Sequence, residues 1–185
     1  MWWPKTSRWT QAALALAIAG LTAGCFQPLY GDHTVAIGGG SVTGKLAGVQ
    51  IAPIDVAKGT RLARVSVQVR EALMYDMTGG GASATPTHKL VIRLTAREGQ
   101  VIVDINTGRP DTQNYGIDAT YQLIDLKTGK PVIKGQTFSR VSYDIPNEEQ
   151  RFAGARGLRD AEDRAAKTIA ENIHSRLASY FVAGT

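Results

Sequence analysis

Several residues of this chain have the types and spacing of known catalytic or ligand-binding motifs. Residues 39–45 read Gly-x-x-x-x-Gly-Lys, which is most of a phosphate-binding loop. That loop needs Ser or Thr next, to hold Mg²⁺, but residue 46 is leucine, so we interpret the match as coincidental. Asp104 and Asp118 are the right residue types for a general acid and base. Turns and strand ends also attract aspartate without any catalysis, and we favour that interpretation.

Metal and nucleophile chemistry lacks its usual residue patterns. The chain has one cysteine and three histidines, and no two of these have the spacing of metal ligands: Cys25, His33, His88 and His174. No Gly-x-Ser-x-Gly elbow occurs. The sequence therefore predicts no enzyme, no metal and no dissociable cofactor.

A row of basic residues is the stronger binding candidate. Lys89, Arg93 and Arg97 recur at a spacing of four within a segment that alternates like a strand, so their side chains project from one face. Such a row can bind phosphate groups, and arginine can do so with two hydrogen bonds. The alternative is a solvated face, or a strand edge that charge protects from unwanted pairing. The sequence leaves both interpretations open.

The cysteine follows a segment with the order of a secretory signal. Lys5 and Arg8 are positive, residues 12–21 are apolar, and the small residues 22–24 directly precede Cys25. The apolar run is too short to span a bilayer. Residues 21–25, Leu-Thr-Ala-Gly-Cys, resemble the lipobox of bacterial lipoproteins, although leucine stands one position further from the cysteine than usual. We therefore predict a signal peptide over 1–24 and lipid on Cys25, which anchors the mature chain to a membrane.

Charge and the residue after the cysteine suggest a compartment. Removing Lys5 and Arg8 lowers the formal net charge from +5 to +3, which suits an anionic surface but gives no reason to expect nucleic acid. In enterobacterial lipoproteins an aspartate after the cysteine retains the protein at the inner membrane. Here the residue is Phe26, so the resemblance implies the periplasmic face of the outer membrane.

Hydrophobic patterns predict one α+β domain. Residues 25–45 are glycine-rich at their end and indicate a flexible tether, followed by a single domain over 46–185. Apolar residues recur at helical spacing in 60–77 and in a last helix to about 181, although Val65 and its neighbours also alternate like a strand. We predict strands over 46–54, 88–96, 101–105, 115–126 and 132–143, with a turn at 98–100 and a loop at 106–114.

This order predicts a two-layer sandwich: two helices on one face of a mainly antiparallel sheet of four to five strands. A helix cap is expected at residues 147–150, Asn-Glu-Glu-Gln. The stripe of the last helix that should face the sheet comprises Ala166, Ile169, Ile173, Leu177 and Phe181.

Residues 25–31, Cys-Phe-Gln-Pro-Leu-Tyr-Gly, resemble the mature N-terminus of the lipopolysaccharide-assembly lipoproteins, the LptE family, in its alphaproteobacterial branch. A glycine that often follows the cysteine in that branch is missing. The order of helices and strands and the alanine-rich last helix also resemble this family, so the resemblance covers nearly the whole mature chain.

The resemblance implies a function without catalysis. Members are two-layer α/β lipoproteins that plug and stabilise the β-barrel protein LptD and help deliver lipopolysaccharide to the cell surface. It implies lipopolysaccharide and an LptD-type barrel as partners, with Lys89, Arg93 and Arg97 as candidate contacts to lipopolysaccharide phosphates.

Three other functions remain open from the sequence. The chain could be the auxiliary lipoprotein of an envelope phospholipid-transport ABC system, which would copurify with an inner-membrane transporter rather than a barrel. It could be an envelope hydrolase that uses Asp104 or Asp118. It could also be a soluble secreted protein without lipid, which palmitate labelling would reveal.

Overall fold

The computed structural model describes residues 36, 38–81, 84–103, 110–144 and 151–184. The predicted signal peptide over residues 1–24, Cys25, His33, Asp104 and the expected helix cap at 147–150 lie outside the described residues. Three helices and four strands follow one another along the described chain: α1 (Val42–Ala47), β1 (Val49–Ile51), α2 (Arg61–Thr78), β2 (His88–Val103), β3 (Pro110–Asp125), β4 (Pro131–Asp144) and α3 (Arg151–Ala183).

The four strands form one mixed sheet in the order β1-β2-β3-β4. The short β1 pairs with β2 in parallel, with Val49 opposite His88. The β2–β3 and β3–β4 pairs are antiparallel. The α+β class is confirmed, and the sheet has four strands, within the predicted four to five, although it is mixed because of β1. Residues 101–103, predicted to belong to a separate strand, continue β2, and the described chain has three helices where two were predicted. A parallel pair arises at β1 because α2 carries the chain back across the sheet before β2 begins.

The first helix lies where flexible chain was expected up to residue 45 and a strand from residue 46. Ser41 caps α1, since its hydroxyl oxygen accepts a hydrogen bond from the amide of Gly44 at 3.0 Å. Val42 and Leu46, four residues apart, are both buried in the core. Gly44 within this helix and Gly48 after it weaken the local preference for a helix, so packing against α2 and α3 decides its conformation.

Strand β2 continues through the turn that was predicted at residues 98–100. Its pairing with β3 runs without a break from His88 opposite Asp125 to Gln100 opposite Gln113, and a bulge follows. The predicted polar loop likewise gives way to β3 from Pro110 onward. Pairing with β3 thus holds in a strand a polar triplet that suggests a turn, and Glu98 also forms an ion pair with Arg61 of α2 at 2.9 Å.

The two long helices cover one face of the sheet. Thr60 caps α2, and Gly79 ends it in the left-handed conformation, with φ 62°. The predicted helix at Val65 is thereby confirmed over the strand alternative. Every residue of the predicted stripe in α3 is buried. The alternate residues Leu90, Ile92 and Leu94 of β2 face this core, and the opposite sheet face has no described element over it.

Candidate functional site: the open face of the sheet

The predicted basic row lies on the open face of the sheet. Lys89, Arg93 and Arg97 are exposed, and they alternate with the buried residues of β2. Residues four apart on a strand are separated by about 13 Å. Two neighbouring members of the row can contact the same phosphate group only if both side chains extend toward each other, so a basic residue from another strand would strengthen a site on this face.

Strand β4 supplies two further basic residues to the same face, and the sequence analysis missed both. Lys134 and Arg140 alternate with Ile133, Ser139 and other inward-facing residues of β4. The same alternation in the sequence could have placed them on the open face. Only the register shows which basic residues of β2 they approach across β3.

One pocket on this face lies between two of these cations. It has a volume of about 260 Å³, and its lining includes Arg93 of β2 and Lys134 of β4, with Thr120 and Gln122 of β3 between them. Among the described residues, no carboxylate lies within 4.0 Å of either basic side chain. Two unpaired cations beside a hydroxyl and an amide form a suitable environment for a phosphate group.

Arg97 has a different environment from Arg93. Its Nε lies 3.8 Å from an oxygen of Asp118. Arg140 donates a hydrogen bond of 2.7 Å to the other oxygen of Asp118 and a second bond of 3.1 Å to the carbonyl of Ile117. Gly116 permits this arrangement, because a Cβ there would lie 2.7 Å from the Arg140 side chain. The single negative charge of Asp118 thus offsets mainly the charge of Arg140, while Arg97 is highly exposed and more weakly attracted.

The same cluster bears on the hydrolase hypothesis. Asp118 is engaged by two arginines, and its suggested partner Asp104 lies outside the described residues. A carboxylate that accepts a hydrogen bond from Arg140 and lies close to Arg97 suits a structural ion-pair cluster better than proton transfer to a substrate.

An exposed aromatic ring adjoins the charged cluster. The Phe138 side chain is 66% exposed on the open face, and the guanidinium carbon of Arg140 lies 5.4 Å from its ring centre. Cation–π contact accounts for part of the ring's placement. The open face therefore combines a phosphate-sized basic pocket with one apolar contact site.

The described histidines lie away from the open face. The ring of His88 packs edge-on against Phe181 with centroids 5.3 Å apart, and its Nδ1 lies 2.9 Å from the Thr87 hydroxyl. Burial lowers the pKa of both His88 and His174. No group of three potential metal ligands occurs within the described part of the chain, and the expectation about His33 stays a prediction.

The phosphate-loop match also has a structural setting. Residues 42–45 of the match lie inside α1, and the amide of Gly44 is already bonded to Ser41. Leu46, where the motif requires a hydroxyl, is buried in the core. The motif thus serves a short structural helix.

Comparison with known proteins decides the family. A family model described as LptE, lipopolysaccharide-assembly, matches residues 46–177, which is most of the chain. The chain belongs to the LptE family. No curated protein shows significant similarity to it.

Solved structures share the LptE-like fold. A candidate lipoprotein from Caulobacter crescentus CB15 aligns with a TM-score of 0.58 at 22% identity, over 77% of this chain and 96% of the other. An uncharacterised lipoprotein B from Nitrosomonas europaea aligns with a TM-score of 0.54 at 11% identity, over 74% and 84% of the two chains. At these identities the similarity concerns the fold alone.

Membership of LptE agrees with two expectations from the sequence. The family is a non-enzymatic lipoprotein family that uses no cofactor.

Within the described ranges, no helix has both the length and the apolar character needed to cross a membrane.

Proposed function

We propose that this protein is an outer-membrane lipoprotein that assists lipopolysaccharide assembly as the partner of an LptD-type β-barrel. Family membership supports a role in lipopolysaccharide assembly. The lipobox-like residues 21–25 support a lipid anchor on Cys25, and Phe26 supports the outer membrane. In this proposal the domain over 46–185 fills the barrel lumen, where a polar face such as the open sheet face meets polar side chains.

The pocket between Arg93 and Lys134 carries the proposal for lipopolysaccharide contact. Both side chains are exposed and have no acidic partner among the described residues, so a bound phosphate would displace no ion pair. Lys89 extends the basic row toward the start of β2. Arg97 contributes less, because binding a phosphate there would compete with Asp118.

The test is a binding measurement with charge-reversed variants. We expect Arg93→Glu combined with Lys134→Glu to weaken binding of purified lipopolysaccharide at least tenfold, since two phosphate contacts become repulsive. Reversal of Lys89, Arg93 and Arg97 together should weaken it as well. The control is Arg156→Glu with Arg159→Glu, which changes the charge equally on the exposed surface of α3. Unchanged affinity in the first variant would overturn the assigned contacts.

The partner and the anchor need separate measurements. Affinity purification from detergent-solubilised outer membrane, followed by mass spectrometry, should recover a large β-barrel in stoichiometric amount. Recovery of an inner-membrane ABC complex would replace the barrel with the phospholipid-transport function. Palmitate labelling should be lost in Cys25→Ser, and labelling that persists in this variant would disprove the anchor.

A further inference from the structure

The turn between β3 and β4 lies at the same end of the domain as the beginning of the described chain. Gly38 and Lys45 line one pocket of about 590 Å³ together with Asp125 and Lys127. The chain from Cys25 therefore reaches the domain beside this turn. Twelve residues lie between Cys25 and Gly38, so even a fully extended chain could not hold Gly38 farther than about 45 Å from Cys25.

The turn binds the acidic side chain of Asp125 by internal hydrogen bonds. The Asp125 carboxylate accepts bonds from the Lys127 amide at 2.7 Å and from the Thr128 hydroxyl at 3.3 Å. The Gly129 amide donates to the Asp125 carbonyl at 2.8 Å, and Gly129 has φ 69°. These bonds define the shape of the turn and occupy the carboxylate.

Two lysines project from this turn. Lys127 and Lys130 are exposed, and within the described part of the chain neither lies within 4.0 Å of a carboxylate. The turn is flanked by two exposed apolar side chains, Leu126 at 44% and Val132 at 37%. Lysines beside exposed apolar residues are the composition of a segment that rests at a membrane interface.

The opposite end of the domain has a different charge pattern. There Glu98 pairs with Arg61, and Asp160 of α3 pairs with Arg164 at 2.7 Å. Arg61 and Arg164 are thus paired, but Arg156 and Arg159 at this end are exposed, and no described carboxylate lies within 4.0 Å of either. Both ends therefore offer positive charge, and the position of the anchor decides which end meets an anionic surface.

We propose that the β3–β4 turn, residues 126–132, lies against the anionic phospholipid headgroups of the membrane that holds Cys25. The proposal rests on the lipid anchor of the proposed function. The anchor keeps the turn close to the surface, and each lysine near an anionic surface favours association by a factor of about five. In lipoprotein that is not bound to a barrel, the contact orients the domain, so the open sheet face stands upright from the membrane with the Arg93–Lys134 pocket a few residues above it.

The experiment uses the mature lipoprotein reconstituted in vesicles, without lipopolysaccharide or barrel. Acylation occupies the only native thiol, so Val132→Cys accepts a single NBD fluorophore at the turn. Ala155→Cys, exposed near the start of α3, provides the matched label at the opposite end. Vesicles contain phosphatidylcholine alone or phosphatidylcholine with phosphatidylglycerol. We expect the turn label to shift to shorter wavelength only with phosphatidylglycerol, while the label at residue 155 stays unchanged.

Charge reversal separates electrostatic contact from simple proximity. Lys127→Glu with Lys130→Glu should abolish the shift at the turn, whereas the equal charge change in Arg156→Glu with Arg159→Glu should preserve it. Equal emission in both vesicle types, or a shift that survives reversal of the two turn lysines, would overturn the proposal. The intact mass of the protein distinguishes the two hypotheses. A missing acyl group contradicts the anchor, whereas an acylated protein without the shift contradicts only the membrane contact.

Discussion

The contact between Arg64 of α2 and Glu162 of α3 offers a sharp test of what holds the helix layer together. The Glu162 side chain is fully buried, and Arg64 is 39% exposed. Apart from Arg64, no described donor bonds to either oxygen of this carboxylate. Replacing Arg64 by methionine keeps much of the side-chain volume and removes the charge that compensates a buried anion.

The expected cost follows from leaving that anion unpaired. Breaking a buried ion pair by removing one partner costs about 3–5 kcal/mol. Water can approach through the exposed part of Arg64, so we expect a value near the lower end, about 3 kcal/mol. For a domain of this size that loss lowers Tm by about 6–12 °C.

Urea unfolding followed by circular dichroism measures the effect, with Cys25→Ser in every variant to exclude the acyl group. Arg156→Met, an exposed arginine of α3, is the control and should change stability by less than about 0.5 kcal/mol. Arg64→Met combined with Glu162→Met should recover most of the loss, because the buried charge is then gone. A loss below about 1 kcal/mol for Arg64→Met, or additive losses in the double variant, would refute this reasoning.

Two further predictions concern pH and a close contact. Burial lowers the pKa of His88 and His174 below that of an unfolded histidine. As pH falls below about 6.5, the unfolded chain therefore binds more protons than the folded protein, and the free energy of unfolding decreases. Stability between pH 7 and 5 should therefore depend less on pH in His88→Gln with His174→Gln, and an unchanged slope in urea titrations would contradict this. Gly135→Ala should destabilise by about 1–3 kcal/mol, because its Cβ would lie 2.5 Å from the Tyr121 ring. Gly99→Ala should leave stability unchanged, because the added Cβ meets nothing within 4 Å. Equal melting temperatures for the two variants would disprove the clash.

The long, periodic elements were predictable from the sequence because their pattern is local. The apolar stripe of α2, including Val65 and Val69, repeats over several turns and is buried as predicted. The alternation of β2 correctly separated Leu90 and Ile92 from the basic row. In each case the side-chain period fixes which residues share a face, whatever the element packs against.

Elements with weak local signals depended on tertiary contacts. The six residues of α1 contain a glycine and would not form a stable helix alone, but burial of Val42 and Leu46 against α2 and α3 stabilises them. The continuation of β2 through Gly99 depends on pairing with β3. For α1, the available sequence signal was Ser41 followed by two apolar residues four positions apart. This pattern is too short to outweigh the glycines, which disfavour a helix.

The candidate site also combines a feature that the pattern of one strand predicts with features that depend on the folded sheet. Alternation along β2 alone shows that Lys89, Arg93 and Arg97 share one face, because a strand has a period of two. The folded sheet brings Arg93 to a pocket that Lys134 also lines, while Arg97 and Arg140 both lie beside Asp118. Strand register joins residues about 20 to 40 positions apart, and it depends on the whole sheet and its core rather than on any one strand.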